Sequence, residues 1–211
     1  MKFNYCFLLL FIFSSVFSQN EIVTRKYLFN DGIYLTPQSL YYNKPNYTDF
    51  RVLVDNKGSL YQVEIPCNDS SLNKNNYCRL DTLFAVVVDN AVYIKQAYEN
   101  SFYHATIVGP LVHFYDIEIT YYNSFNDFYY YNYWISYPMQ ERRKVNVEYI
   151  IELQTGKRFY FNYNNFLKFL KEKDEELYNE LLRAKNKNKI IYSFLLRYNS
   201  RYTLPVPYEE F

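Results

Sequence analysis

The chain has two histidines, His104 and His113, within the run FYHATIVGPLVHFYDIE, and Asp116 and Glu118 follow the second. An imidazole beside a carboxylate is the raw material of general acid–base catalysis and of metal ligation, because histidine titrates near neutral pH. The spacing argues against both uses. Successive side chains of a strand alternate faces, so His113 shares a face with Tyr115, Ile117 and Ile119, while Asp116 and Glu118 join Phe114 on the other. His104 could meet His113 across a hairpin at Gly109-Pro110, yet two imidazoles leave a metal shell incomplete. There is no G-x-S-x-G, no H-E-x-x-H and no glycine-rich phosphate cradle. Asp174, Glu175 and Glu176 suit a helix start, where anions meet the helix dipole. These residues predict neither a metal nor a cofactor and identify no catalytic group. A non-enzymatic protein is favoured over a hydrolase with an unfamiliar constellation.

Binding chemistry is better represented. The stretch NDFYYYNYW (126–134) packs six aromatic residues into nine positions. Read as a strand, one face carries Phe128, Tyr130, Asn132, Trp134 and Ser136. The other carries Tyr129, Tyr131, Tyr133, Ile135 and Tyr137. The face with Asn132 and Ser136 is the wetter one, which makes Phe128, Tyr130 and Trp134 candidates for stacking on a glycan or anchoring a peptide. The competing, favoured reading covers both faces, one by a second sheet layer and one by helices. Tyr and Phe are abundant throughout, at 27 and 18 residues, so the cluster is partly a matter of overall composition. Cys67 and Cys78, in PCNDSSLNKNNYC, are predicted to form a disulfide, since two thiolates without a nearby histidine do not complete a zinc site.

These candidates must be positioned by strands followed by helices. Strand signals fall at 50–55, 60–65, 83–88, 91–96, 102–108, 111–122, 128–137, 145–153 and 158–162. The four glycines, at 32, 58, 109 and 156, stand where turns are wanted, and DNKGS and LQTGKRF look like hairpin tips. From about residue 163 the apolar spacing changes to three and four. Phe166, Leu167 and Leu170, then Leu177, Tyr178, Leu181 and Leu182, then Ile191, Phe194, Leu195 and Tyr198 mark three amphipathic helices. Asn164 or Asn165 is expected to cap the first and Asp174 the second, and Pro205 and Pro207 to end regular structure. A short helix is expected near TPQSLYYN, with Thr36 as N-cap and Pro37 at the first helical position. The fold class is α+β: an antiparallel β-rich core, as a sandwich or partly open barrel, over 19–163, then a packed helical segment over 164–211.

Residues 1–18 read as a cleavable signal peptide. Lys2 is followed by the apolar run CFLLLFIF, and Val16 and Ser18 stand three and one residues before Gln19. The apolar run falls short of the ~20 residues a membrane span needs, so the mature chain is expected to carry no transmembrane segment and to be secreted or periplasmic. The C-terminal Phe211 is a feature of membrane barrels, but the two prolines of LPVPYEEF and the preceding helical region argue against one. With 23 basic and 22 acidic residues, the charge balance of +1 excludes the basic footprint of a nucleic-acid binder.

The order DGIYLTPQSLYYNKP (31–45), VVVDNAVYIKQ (86–96), FYHATIVGPLVHFYD (102–116), YIIELQTGKRFYF (149–161) and EELYNELLRAKNKNKIIYSFLLRYNSR (175–201) resembles a family of signal-peptide-bearing proteins from Bacteroidota that has no established activity. Gly32, Tyr34, Leu35, Thr36, Asn43, Lys44, Pro45, Tyr93, Ile94, Gly109, Thr155, Gly156, Tyr198, Asn199 and Arg201 match its pattern. Asp89-Asn90 replaces the expected Asp-Gly, a turn that Asn also tolerates. The resemblance implies export and the α+β fold, and it transfers no catalytic residue. The expected function is that of an envelope or extracellular interaction module whose partner is a glycan, a peptide or an envelope protein.

Overall fold

The computed structural model describes residues 25–67, 76–96, 101–130 and 133–210, with the side chains of 76, 123–130, 133–139 and 188 outside the description. The signal peptide expected at 1–18 therefore lies outside the described residues. In chain order the elements are β1 (Arg25–Tyr27), β2 (Gly32–Tyr34), α1 (Pro37–Tyr41), β3 (Arg51–Val54), β4 (Leu60–Cys67), β5 (Asn76–Arg79), β6 (Ala85–Val88), β7 (Ala91–Lys95) and β8 (Phe102–His104). There follow β9 (Leu111–Tyr130), β10 (Tyr133–Glu152), β11 (Arg158–Tyr160), α2 (Tyr163–Lys173), α3 (Glu175–Arg183), α4 (Lys187–Arg201) and β12 (Tyr208–Glu210). Every strand pairing is antiparallel, in sheets ordered β3-β4-β5, β2-β6-β7-β8, β11-β10-β9 and β1-β12. The fold is α+β, with α2, α3 and α4 gathered at the C-terminal end as the periodicity predicts.

Strand alternation builds the layers. In β6, Val86 turns to one core and Ala85 and Val87 to another. The first core joins Ile33, Leu60, Val63, Leu83 and Phe102, between the β3-β4-β5 and β2-β6-β7-β8 sheets. The second sets Ala85, Val87, Val92 and Ile94 against Val112, Phe114, Tyr149 and Ile151 at the base of the β9–β10 hairpin. The hairpin's opposite face supplies Leu111 and Ile150 to a third core with Phe166, Phe169, Leu170, Leu177, Leu181 and Leu195 from the helices. The order is thus sheet, sheet, hairpin base, helices. Each layer interface removes large apolar side chains from water, worth roughly 1.5–3 kcal/mol apiece.

Two strand expectations need correction. The stretches 111–122, 128–137 and 145–153 are not three strands separated by loops; they form two strands of 20 residues, paired from Leu111↔Glu152 to Tyr130↔Tyr133. The strand signals leave NSFND (123–127) and PMQERRK (138–144) unassigned. Pro138 does not interrupt β10, because its nitrogen faces away from β9. Leu153 N–H donates to Pro110 O at 3.0 Å, which assigns the odd positions of β10 to β9 and the even ones to the outer edge. Residues 205–210 are also not wholly irregular: after Pro205 and Pro207 the chain adds β12, paired with β1.

Local chemistry sets the element ends. Thr36 Oγ1 accepts from Ser39 N–H, and Pro37 opens α1, as expected. Asp174 accepts from Leu177 N–H at 2.9 Å and caps α3. The cap of α2 is Asn162 rather than Asn164 or Asn165, its side chain accepting from Asn165 N–H at 3.0 Å. At the β6–β7 turn Asp89 and Asn90 have φ of 51° and 63°, the left-handed pair that a tight two-residue hairpin requires. Cys67 and Cys78 are disulfide-bonded, with Cα atoms 5.6 Å apart, and tie β4 to β5.

Candidate functional site

Placing β9 beside β10 gives His113 a carboxylate that its own strand could not provide. His113 is 1% exposed, and its Nε2 lies 3.2 Å from Glu148 Oε2. Glu148 also accepts a hydrogen bond from the Tyr192 hydroxyl of α4. A carboxylate can only accept, so Nε2 carries the proton and Nδ1 accepts from the Thr106 hydroxyl, 2.5 Å away. Phe161, Tyr115 and Tyr192 meet the imidazole edge-on at 5.1–5.5 Å. Burial lowers the His113 pKa against the opposing hydrogen bond and charge of Glu148, keeping the ring neutral. Burial and the neighbouring Glu148 likewise push the Tyr192 hydroxyl well above the usual phenol range. Chemically this line of Thr106, His113 and Glu148 can draw a proton from a hydroxyl. Mechanically it joins α4 to the hairpin.

Thr106 is exposed, and it lines a cavity of about 280 Å³ with Arg25, Tyr27, Asn90, His104 and Asn199. His104 does not join His113. It pairs in register with Tyr93, while the residue bridged to His113 is Ile107. Among the described residues no group of three or more His, Cys, Asp or Glu side chains could hold a metal ion. Asp116 and Glu118 lie on the opposite face from His113, as strand alternation requires, and serve another cluster.

That cluster is built on β9, β10 and β11. Arg158 pairs with buried Asp116 at 2.6 Å and lies 3.6 Å from the centre of the Tyr149 ring. Tyr149 stacks on Tyr160, with centroids 4.9 Å apart and planes at 28°. Both tyrosine hydroxyls donate to Glu118 Oε1, that of Tyr160 at 2.8 Å. Burial, reinforced by Glu118, pushes the Tyr149 hydroxyl well above the usual phenol range. Beside this stack is a cavity of about 470 Å³ lined by Tyr149, Lys157, Arg158, Phe159, Tyr160, Asn165, Lys168 and Phe169. The cavity's cations come from the β10–β11 turn, β11 and α2, segments apart from the tyrosine of β10 in sequence, and the register Tyr149↔Tyr160 brings them together.

The aromatic candidates Phe128, Tyr130 and Trp134 stand on the backbone of the hairpin, where Phe128 pairs with Ile135 and Trp134 with Tyr129. Their side chains lie outside the described residues. The flanking residues are described, and Tyr121, Tyr122, Gln140, Glu141, Arg142, Arg143 and Lys144 are all exposed. Arg143 lies 5.1 Å from the Tyr122 ring centre. Among the described residues no helix is long and apolar enough to cross a membrane. The chain matches no protein-family model, no curated protein and no solved structure, so it is the geometry that carries a functional reading.

Proposed function

We propose that the protein is an exported, non-enzymatic interaction module of the cell envelope or extracellular space, and that the distal β9–β10 hairpin is the element that engages its partner. The observation that carries this reading is the ribbon beyond Thr120. Past the pair Thr120↔Arg143 the strands run on for ten further residue pairs, and every described side chain there is exposed. At ~3.3 Å per residue that extension reaches about 30 Å. The described side chains of this extension add nothing to the three cores, whereas tyrosines and arginines are the residues that dominate binding surfaces. Export is supported by the Cys67–Cys78 disulfide, which persists in oxidising compartments, and by the signal-peptide pattern of residues 1–18. The partner classes that suit such a surface are a glycan, a peptide or an envelope protein.

The test is the triple variant Phe128→Ala, Tyr130→Ala and Trp134→Ala. Its melting temperature should match that of the parent, while retention on the envelope fraction of the source organism should fall. A strongly lowered melting temperature would return these rings to the core and contradict the proposal.

The Thr106–His113–Glu148 line supports a second reading, an extracytoplasmic hydrolase, because it places the hydroxyl of an exposed threonine against a buried, carboxylate-backed imidazole. Hydrolysis of an activated ester that Thr106→Ala abolishes would establish it; the same rate in both proteins would remove it.

A further inference from the structure

We infer that the cavity between the outer edge of β11 and the first turns of α2 is a binding site for an acidic sugar, one carrying a carboxylate or sulfate on its ring. Charge is the first observation. Three lining residues are cations, Lys157, Arg158 and Lys168, and none is acidic. Their charges are unequally available. Arg158 is committed to Asp116. Lys157 makes a 3.3 Å pair with Glu172 in which both side chains are about half exposed, a contact that solvent screens. Lys168 is exposed and has no ion-pair partner among the described residues. An oxyanion entering the cavity would meet Lys168 and Lys157 without displacing a buried pair.

Shape is the second observation. Tyr160 is 45% exposed, yet its ring is held on one face by stacking on Tyr149 and at its tip by the hydroxyl's hydrogen bond to Glu118, which leaves the other face for a ligand. Arg158 backs Tyr149 from below. A flat ring fixed before the ligand arrives loses little entropy on binding, and its face suits the C–H face of a pyranose. Backbone donors add to the match. Phe161 N–H donates to Glu148 O and Lys157 O accepts from Glu152 N–H, so residues 157 and 161 face β10 while Arg158 and Tyr160 turn their amides to the open edge. Asn165, whose Nδ2 donates to Tyr160 O, still presents a carbonyl oxygen that a sugar hydroxyl can reach. The cavity of about 470 Å³ has the size of a small-ligand site.

The site stands apart from the hairpin, and its fate does not depend on the role of the ribbon. The test is calorimetric titration of the mature protein with trigalacturonate, with the methyl-esterified trimer and with inorganic sulfate. Trigalacturonate should bind with a Kd of about 1 mM or tighter. Lys168→Gln and Tyr160→Ala should each weaken it about tenfold, whereas Lys57→Gln, at the β3–β4 turn, should leave it unchanged. The Phe128, Tyr130, Trp134 triple variant should bind as the parent does. Equal binding of the ester would overturn the charge requirement, and sulfate binding as tightly as the trimer would reduce the site to a simple anion site. Absence of binding by the folded parent, or binding indifferent to Lys168→Gln, would overturn the proposal outright.

Discussion

Asn199 shows how a single polar side chain can act as a strand. It lies in the last turns of α4, yet its Oδ1 accepts from Leu111 N–H at 3.0 Å and its Nδ2 donates to Leu111 O at 2.9 Å, both buried. It thereby completes the outer edge of β9 where no strand is present. Gly109 makes room, since a Cβ there would come within 2.5 Å of the Asn199 amide. Asn199→Ala should lower stability by about 2–3 kcal/mol in a urea titration, because two backbone groups lose their partners in a dry site. Asn199→Asp should do no better, since a carboxylate cannot donate to Leu111 O. Other residues of the resemblance pattern work similarly. Asn43, at φ 51°, accepts from Tyr34 Oη and Asn30 N–H, and Arg201 holds the Asp174 cap of α3. They are latches, which explains why the motif offered no chemistry when read as sequence. His113 carries a pH signature as well. Its folded pKa is lowered by burial, so the neutral ring contributes stability that is present above the unfolded value near 6.5 and is lost as pH falls through the folded value. Unfolding free energy measured from pH 7.5 to 5 should decline below about 6.5, and His113→Gln should flatten that decline.

At the scale of elements, legibility followed periodicity. The three C-terminal helices could be placed because Leu170, Leu177, Leu181 and Leu195 recur at helical spacing and each is fully buried. The hairpins of the two short-stranded sheets were marked by the Gly58 and Asp89-Asn90 turns, where φ is positive. The long hairpin was not legible, since exposed ribbon needs no apolar alternation and Pro138 is tolerated on an edge. With the hairpin unseen, its cross-strand register was unseen too, and so the meeting of His113 with Glu148 could not be foretold. Helix docking has a clear test. Leu181 belongs to the core shared by α2, α3, α4 and the hairpin base. Leu181→Asp buries a charge there and should destabilise the molecule by more than about 4 kcal/mol, in the exceptional range for one substitution. Circular dichroism in the far and near ultraviolet should lose helix and aromatic packing in one transition. Loss of helix with an unchanged melting of the β layers would show the helices to be an appendage.

The whole molecule divides its work between layers and ribbon. Three apolar interfaces stack the two short-stranded sheets, the hairpin base and the helices, and the disulfide secures the outermost sheet at β4 and β5. The same two strands continue beyond this stack, and their described side chains there, Tyr121, Tyr122, Gln140, Glu141 and Arg142, are exposed. The central claim is that this extension serves binding and not folding. Replacing residues 121–142 by Asn-Gly would close the hairpin on the hydrogen-bonded pair Thr120↔Arg143 with a favoured two-residue turn. The decisive measurement is the fraction of this shortened protein, confirmed as folded to within about 1 kcal/mol of the parent, that co-sediments with the envelope fraction of the source organism. The account predicts that the parent sediments and the shortened protein stays in the supernatant; equal sedimentation of the two would contradict it.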